Sequence, residues 1–444
     1  MITPENFDKH IGSESVPYDV IVAGGGPAGI GAALAAAKAG AKTLLLEARG
    51  YLGGVAPNAF WMPFNRILLN KEARSDIHDS IVCKLRSLGK GACVPGRSNP
   101  MDDDNLNIHP DYLRLALLEL LEEAGCDYVL YSPVSGVILE ENEDPAANKR
   151  VKAVKTIWKA VENTYYGKIF IDCTGDGDLC ALAGAETMFG EEGTRKTMFV
   201  TLGFTIAGVD TETFFREIGT YMTLDQFLSR IDPEDIPGHA LSPWYSFDWT
   251  TLPGVVSCNN GGWKDVGILD ATKPADLTKA ERGGIQVVHD FIKLARKNKL
   301  PGMENCELGH AGATLGVRET RRVVGDYIQT DADARAETSF DDIVARRYGM
   351  MDFAGSDKDS PMKNGYPFPY RTLLVKGFDG LLVAGRCGSF SRKGLAAGKS
   401  MGNMIELGQA AGAAAALSVQ NDVMPRDLEV KKVQELLQSW NVKL

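Results

Sequence analysis

The chain has 444 residues, with 48 Lys and Arg against 58 Asp and Glu, a formal net charge of −10. Hydrophobic residues make up 44% and charged residues 24%, which excludes wholesale disorder; the acidic balance disfavours nucleic-acid and anionic-lipid binding, both of which need clustered Lys and Arg. The length predicts two or three domains, and with no apolar run long enough to span a bilayer and no basic-then-apolar leader a soluble, cytoplasmic protein is expected.

Tyr18–Ala23 is a short apolar run rich in β-branched residues and predicts a buried strand. It runs into Gly24-Gly25-Gly26-Pro27-Ala28-Gly29, a G-x-G-x-x-G sequence, then an alanine-rich helix from Ile30 to Lys38 and a second strand, Lys42–Leu46, ending in Glu47. Gly24 permits the tight turn, Gly26 lets the backbone approach a pyrophosphate, and Gly29 lets helix pack on strand, with the helix N-terminus offering N–H groups to the phosphates. Glu47 can accept both hydroxyls of an adenosine ribose and would repel a 2′-phosphate. The pattern therefore predicts a site for FAD or NAD rather than NADP.

Further along, an amphipathic helix over Tyr112–Glu123 precedes the apolar segment Tyr128–Leu139 and strands Val151–Lys159 and Tyr165–Ile171. Asp172 to Asp178 then forms a turn before a helix beginning near Leu179. The middle region, about Met188 to Pro301, carries Trp244, Tyr245, Phe247, Trp249 and Trp263 around Asn259-Asn260-Gly261-Gly262, an aromatic group beside a glycine-rich turn that suits either a pocket or a core. Arg318 and Arg322, four apart, would share one face of a helix. His310 lies just upstream, and Tyr370 follows Pro367-Phe-Pro369. The chain closes with a strand, Gly380–Ala384, the sequence Gly385-Arg386-Cys387-Gly388, a basic loop holding Arg392, Lys393 and Lys399, and a small-residue helix, Ile405 to Leu417, opened by Ser400–Met404.

In this order the pieces resemble the FAD-dependent oxidoreductase family, part of the glutathione-reductase-like flavoprotein superfamily and distantly similar to fumarate reductase flavoproteins. The likeness covers nearly the whole chain through Val20–Gly54, Ile169–Gly184, Gly316–Asp326, Asp341 to Arg346 and Leu381–Gly412, with Gly316–Tyr327 the most characteristic stretch. It implies an α/β fold: a Rossmann-like FAD-binding domain, with a central parallel sheet and a small β-meander, built from residues 1–187 and 311–444, and an inserted α+β substrate or cap domain over 188–310. It also implies that Ala48 and Gly53-Gly54-Val55 follow the pyrophosphate toward the flavin. Val134 would meet adenine through its backbone, Thr174-Gly175 would pass the adenosine, Gly385 and Arg386 would lie by the ribitol, and Gly402, Asn403 and Met404 would aim a helix N-terminus at the flavin pyrimidine edge.

Absences refine the expectation. The chain has no second G-x-G-x-x-G and no C-x-x-C among its eight cysteines, which argues against a separate NAD(P)H domain and against disulfide exchange, and no metal site is expected. No His falls between His10 and His78, so FAD should be bound non-covalently; Cys387 reads as a buried thiol rather than a flavin linkage. The leading functional expectation is hydride transfer between flavin N5 and a small organic substrate, with Arg318 and Arg322 orienting the substrate or biasing the flavin and His310 or Tyr370 carrying the proton. An O₂-using oxidase or monooxygenase and a non-catalytic electron-transfer subunit are the alternatives. The expected partners are a small-molecule substrate and an unidentified electron donor or acceptor, with a homo-oligomer left open.

Overall fold

The structure, a computed structural model, describes residues 9–58, 63–96, 105–141, 144, 146–262, 269–335, 339–349 and 365–444. Tyr18–Ala23 forms strand β1, and its β-branched residues Val20, Ile21 and Val22 are wholly enclosed, as a parallel strand covered on both faces requires. β1 pairs in parallel with β2 (Thr43–Leu46) on one side and with the second half of strand Val161–Asp172 on the other. Helix α1 (Pro27–Lys38) makes the crossover that a parallel pair needs. Strand Asp127–Val129 extends the sheet beyond β2, and Leu381–Val383 extends it beyond Val161–Asp172, so the two ends of the chain meet in one sheet.

The first half of Val161–Asp172 turns antiparallel with Lys149–Trp158, which pairs in turn with Val134–Leu139. This is the expected β-meander on a parallel sheet. The apolar segment 128–139 is thus two strands with different neighbours. Tyr131 takes a left-handed φ of 54° between them and Pro133 follows, so one continuous strand is ruled out.

Helix Met401–Gln420 packs against α1. A Cβ on Gly408 would sit 1.8 Å from the Ala28 carbonyl oxygen, and one on Gly412 would sit 2.1 Å from that of Ala32. The glycines and alanines of this helix therefore let two helix backbones touch.

Among the described residues the second large sheet is five-stranded and antiparallel, in the order Tyr221–Thr223, Trp244–Trp249, Val256–Asn260, Phe204–Ala207, Glu307–Ala311. Its core contains Phe204, Phe227, Tyr245, Phe247 and Phe291. Phe291 comes from the 24-residue helix Pro274–Lys297, whose buried Ala280, Gly284, Val287, Val288, Phe291 and Ala295 recur at helical spacing. Its ring lies 4.5 Å from Tyr245 and 5.1 Å from Phe227. Burying one such Phe contributes roughly 1.5–3 kcal/mol. Trp263 lies outside the described residues. Among the described residues no helix is long and apolar enough to cross a membrane.

Candidate active site

A cavity of about 1020 Å³ lies between the carboxyl ends of the parallel strands and the cap sheet. That is the place where open α/β sheets bind ligands, and the volume reaches the upper end of the roughly 300–1,000 Å³ usual for one ligand. The structure brings to its wall Gly24, Gly26, Pro27, Ala28, Glu47 and Ala48 from the N-terminal unit, and Gly54 and Val55 just after it. Val134, Thr174, Gly175, Gly385, Arg386 and Met404 arrive from the meander and the C-terminal end. Gly29 and Gly53 lie behind the wall. A Cβ on Gly29 would be 1.7 Å from the Gly24 carbonyl oxygen, and the Gly53 N–H donates to the Gly25 carbonyl at 2.8 Å.

The local geometry fits a dinucleotide. Gly24 has φ +96°, and a Cβ there would meet the Cys173 carbonyl oxygen at 2.5 Å, so glycine is required. Gly26 is extended, with φ −70° and ψ −176°, and a Cβ on it would meet nothing within 4 Å. The space in front of Gly26 is open cavity. No side chain caps α1 and no acid occupies its first turn, so its N-terminal N–H groups and dipole are available to an anion. Glu47 is 7% exposed; one carboxylate oxygen accepts from the Gly25 N–H at 2.7 Å and the other from the Arg49 N–H at 2.8 Å. Burial pushes its carboxyl pKa above the ordinary range, and these hydrogen bonds oppose that shift. Arg386 donates to Asp176 at 2.6 Å, and Thr320 donates to the same oxygen at 2.6 Å, tying the segment after the last strand to the 174–178 turn.

At the opposite end, Gly402 and Asn403 are not brought to the cavity wall. The Gly402 N–H donates to the Asn65 carbonyl at 3.0 Å, and a Cβ on Gly402 would lie 2.0 Å from the Arg66 carbonyl oxygen, so segment 65–67 occupies that side of the helix N-terminus. The Asn403 amide donates to the carbonyls of Tyr348 (2.6 Å) and Gly398 (2.9 Å), while its oxygen accepts from Arg74 at 2.6 Å. Arg74 also pairs with Glu406 and donates to the Arg346 carbonyl at 2.6 Å. His78 contacts the Gly402 carbonyl at 2.9 Å, and burial lowers its pKa to about 3, so it is neutral there. Met401, Met404, Ser400 and Lys399 face the cavity from this fixed end, beside Asn65. The Asn65 side-chain oxygen is buried with no hydrogen-bond partner among the described residues, an acceptor that suits a ring N–H such as that of the flavin pyrimidine. Sequence reasoning missed Arg74. The available signal was Glu406 itself, an acid in an apolar helix, which demands a buried cation.

Of the four proposed catalytic residues, Arg318 lines the cavity and donates to the Phe199 carbonyl at 3.0 Å. Arg322 does not join it. Arg321–Val323 is a strand paired with Thr187–Phe189, so the expected helix with both arginines on one face is absent. Arg322 is buried, paired with Glu319, and donates to the carbonyls of Gly190 (2.9 Å) and Phe390 (3.0 Å). His310 sits exposed on edge strand Glu307–Ala311, opposite Thr205 and away from the cavity wall. Tyr370 is 2% exposed in the main core, its hydroxyl donates to the Pro425 carbonyl at 2.7 Å, and burial raises its pKa. Against the expectation that they gather at the flavin, tertiary pairing and packing hold these three groups away from the cavity wall. Arg392 is likewise engaged by Glu319 at 3.1 Å. Cys387 is fully buried beneath the last strand.

The cap supplies the facing wall. Along Trp244–Trp249, Tyr245 and Phe247 point into the cap core, whereas Trp244, Ser246 and Asp248 line the cavity. Ser246 is paired across the strands with Tyr221 and with Asn259, both of which also line it. Trp244 and Tyr221 stack, with centroids 6.0 Å apart. Trp249 stacks instead on Phe215 at 4.0 Å, outside the cavity.

Comparison with known proteins bears on family and fold. The chain is similar to the dihydrolipoyl dehydrogenase of Trypanosoma brucei brucei, 45% identical over 62 residues that are 14% of this chain and 13% of that protein. It is similar also to digeranylgeranylglycerophospholipid reductase 1 of Methanococcoides burtonii, 31% identical over 131 residues, 28% and 31% of the two chains. Each match spans under a third of the relative's length. Among solved structures, p-nitrophenol 4-monooxygenase PnpA from Pseudomonas putida DLL-E4 aligns with a TM-score of 0.52 at 10% identity, over 95% of this chain and 84% of that one, a likeness of fold. The description "FAD dependent oxidoreductase" matches residues 19–437, and the chain belongs to that family.

Proposed function

We propose that the chain is a FAD-dependent dehydrogenase or reductase acting on a small organic substrate. Bound FAD supplies a two-electron acceptor or donor at flavin N5. The single observation that carries the reading is one continuous cavity with the dinucleotide features at one end, a polar cap wall at the other and Arg318 on its lining. Glu47 and the α1 N-terminus would hold the adenosine and pyrophosphate. Asn65 and the end of the Met401–Gln420 helix would hold the flavin, and Arg318 would hold the substrate by charge-assisted hydrogen bonds. The cap sheet would exclude water from the reacting atoms. An electron-transfer subunit has no use for such a covered chamber. All eight cysteines are free, which supports a reducing compartment such as the cytoplasm.

The test is anaerobic mixing of the purified holoenzyme with a panel of metabolites while the flavin band is followed. Rapid mixing of the reduced enzyme with O₂ comes next. Bleaching by an organic donor, or reoxidation by an organic acceptor, with slow reaction toward O₂, is expected. Fast reoxidation by O₂ would transfer the assignment to an oxidase or monooxygenase.

A further inference from the structure

The cap face of the cavity differs in chemistry from the nucleotide side. The aliphatic lining (Leu46, Val55, Val134, Leu315, Val317 and the two methionines) lies with the FAD-binding elements and the segment after the cap. The described cap-strand residues on the wall are Tyr221, Trp244, Ser246, Asp248 and Asn259, with no aliphatic side chain among them. Strand alternation produces this division. In Trp-Tyr-Ser-Phe-Asp-Trp the residues at 245 and 247 enter the cap core, and those at 244, 246 and 248 face the chamber. Asp248 is 2% exposed and Tyr221, on the outer strand, is 42% exposed, so the wall runs from a buried carboxylate to an open aromatic rim.

We infer that the substrate is a small polyhydroxylated ring, of the sugar or cyclitol class, bound against this wall; the inference rests on the oxidoreductase reading and narrows its substrate. The stacked indole and phenol of Trp244 and Tyr221 offer flat apolar area to the C–H face of a ring. The Ser246 hydroxyl and the Asn259 amide each contain donors and acceptors, and the Asp248 carboxylate accepts, which matches hydroxyls that both donate and accept. A long apolar chain lying on the same wall would dehydrate three polar side chains without replacing their hydrogen bonds. A small aliphatic acid would satisfy Arg318 and leave the aromatic pair unused.

The experiment uses the FAD-loaded full chain and follows tryptophan fluorescence and the visible flavin spectrum together. The probes are D-glucose, D-galactose, D-glucuronate and myo-inositol, with succinate and farnesol as contrasts. Saturable binding of at least one of the four ring compounds is expected. Trp244→Ala should weaken it by about tenfold or more, equivalent to about 1.4 kcal/mol, with Ser246→Val weakening it several-fold and FAD content unchanged in both. If Trp244→Ala perturbs folding, as read by circular dichroism, Tyr221→Ala and Ser246→Val carry the test. Binding of succinate or farnesol but of no ring compound, or ring-compound binding that these substitutions leave unaltered, would overturn the inference. A wild-type protein that retains no flavin would refute the oxidoreductase reading instead, and the fluorescence titration would still decide the wall's ligand.

Discussion

Replacing Gly26 by Ala separates cofactor binding from folding. At φ −70° and ψ −176° the backbone suits any L-residue, and the new Cβ meets no atom within 4 Å. Two small effects on the fold oppose each other. Restricting the unfolded chain stabilises by about 0.4–1 kcal/mol. Replacing glycine by alanine at the N-cap of α1 costs a similar amount, about 1 kcal/mol or less. The apo-protein should therefore change stability by less than about 1 kcal/mol. The methyl group nevertheless projects into the space where a pyrophosphate must approach the N–H groups of α1. Losing one charge-assisted hydrogen bond costs about 1.5–3 kcal/mol, so FAD should bind about 10–150-fold more weakly. Fluorescence titration of stripped protein with FAD, alongside urea unfolding of the same samples, measures both quantities. Gly24→Ala is the control with the opposite character: at φ +96° and 2.5 Å from a carbonyl oxygen, it should unfold the chain more easily. Wild-type affinity for FAD in Gly26→Ala would refute this placement of the pyrophosphate.

Arg318→Ala should keep its flavin and lose most turnover, as steady-state kinetics and the absorbance spectrum will show together; loss of FAD would make the residue structural. Glu406→Ala leaves the guanidinium of Arg74 enclosed without its carboxylate, which should cost about 3–5 kcal/mol in urea unfolding; a change below about 1 kcal/mol would contradict a buried pair. Burial, with Asp176 and Asp172 nearby, pushes the Asp178 carboxyl up to about 6 from its ordinary 3.8, against the opposing pull of Arg386 and of Arg321, which pairs with it. The folded state therefore binds this proton more tightly than the unfolded chain. The contribution of Asp178 to stability is present below about pH 4 and is lost as the pH rises through about 6. In Asp178→Asn apo-protein that loss should disappear from thermal-melt profiles across this window, and an unchanged profile would contradict the assignment.

What the sequence discloses here is local. Tyr18–Gly29, α1, β2 and Glu47 are contiguous, and their mechanics follow from strand period, glycine placement and helix polarity. The small-residue helix after Met401 was equally readable, because alanine and glycine over several turns imply a close neighbour. The failures are all at long range. Arg322 is oriented by a strand partner at Thr187–Phe189, more than a hundred residues upstream, and Tyr370 by packing under Pro425. Arg74 and Glu406 lie 332 positions apart, and no spacing rule joins them. In sequence the Trp244–Trp249 stretch reads only as an aromatic group suited to a pocket or a core; that it is a strand dividing core-facing from cavity-facing residues emerges when the cap sits over the nucleotide crevice.

The most direct test is a crystal structure of the chain with FAD. The adenosine ribose is expected on Glu47, the pyrophosphate before Gly26 at the start of α1, and the isoalloxazine between Asn65, Met401 and Arg318, with the Trp244–Asp248 face across from it. A cofactor lying elsewhere, or a Glu47 carboxylate that meets no ribose, would contradict the account.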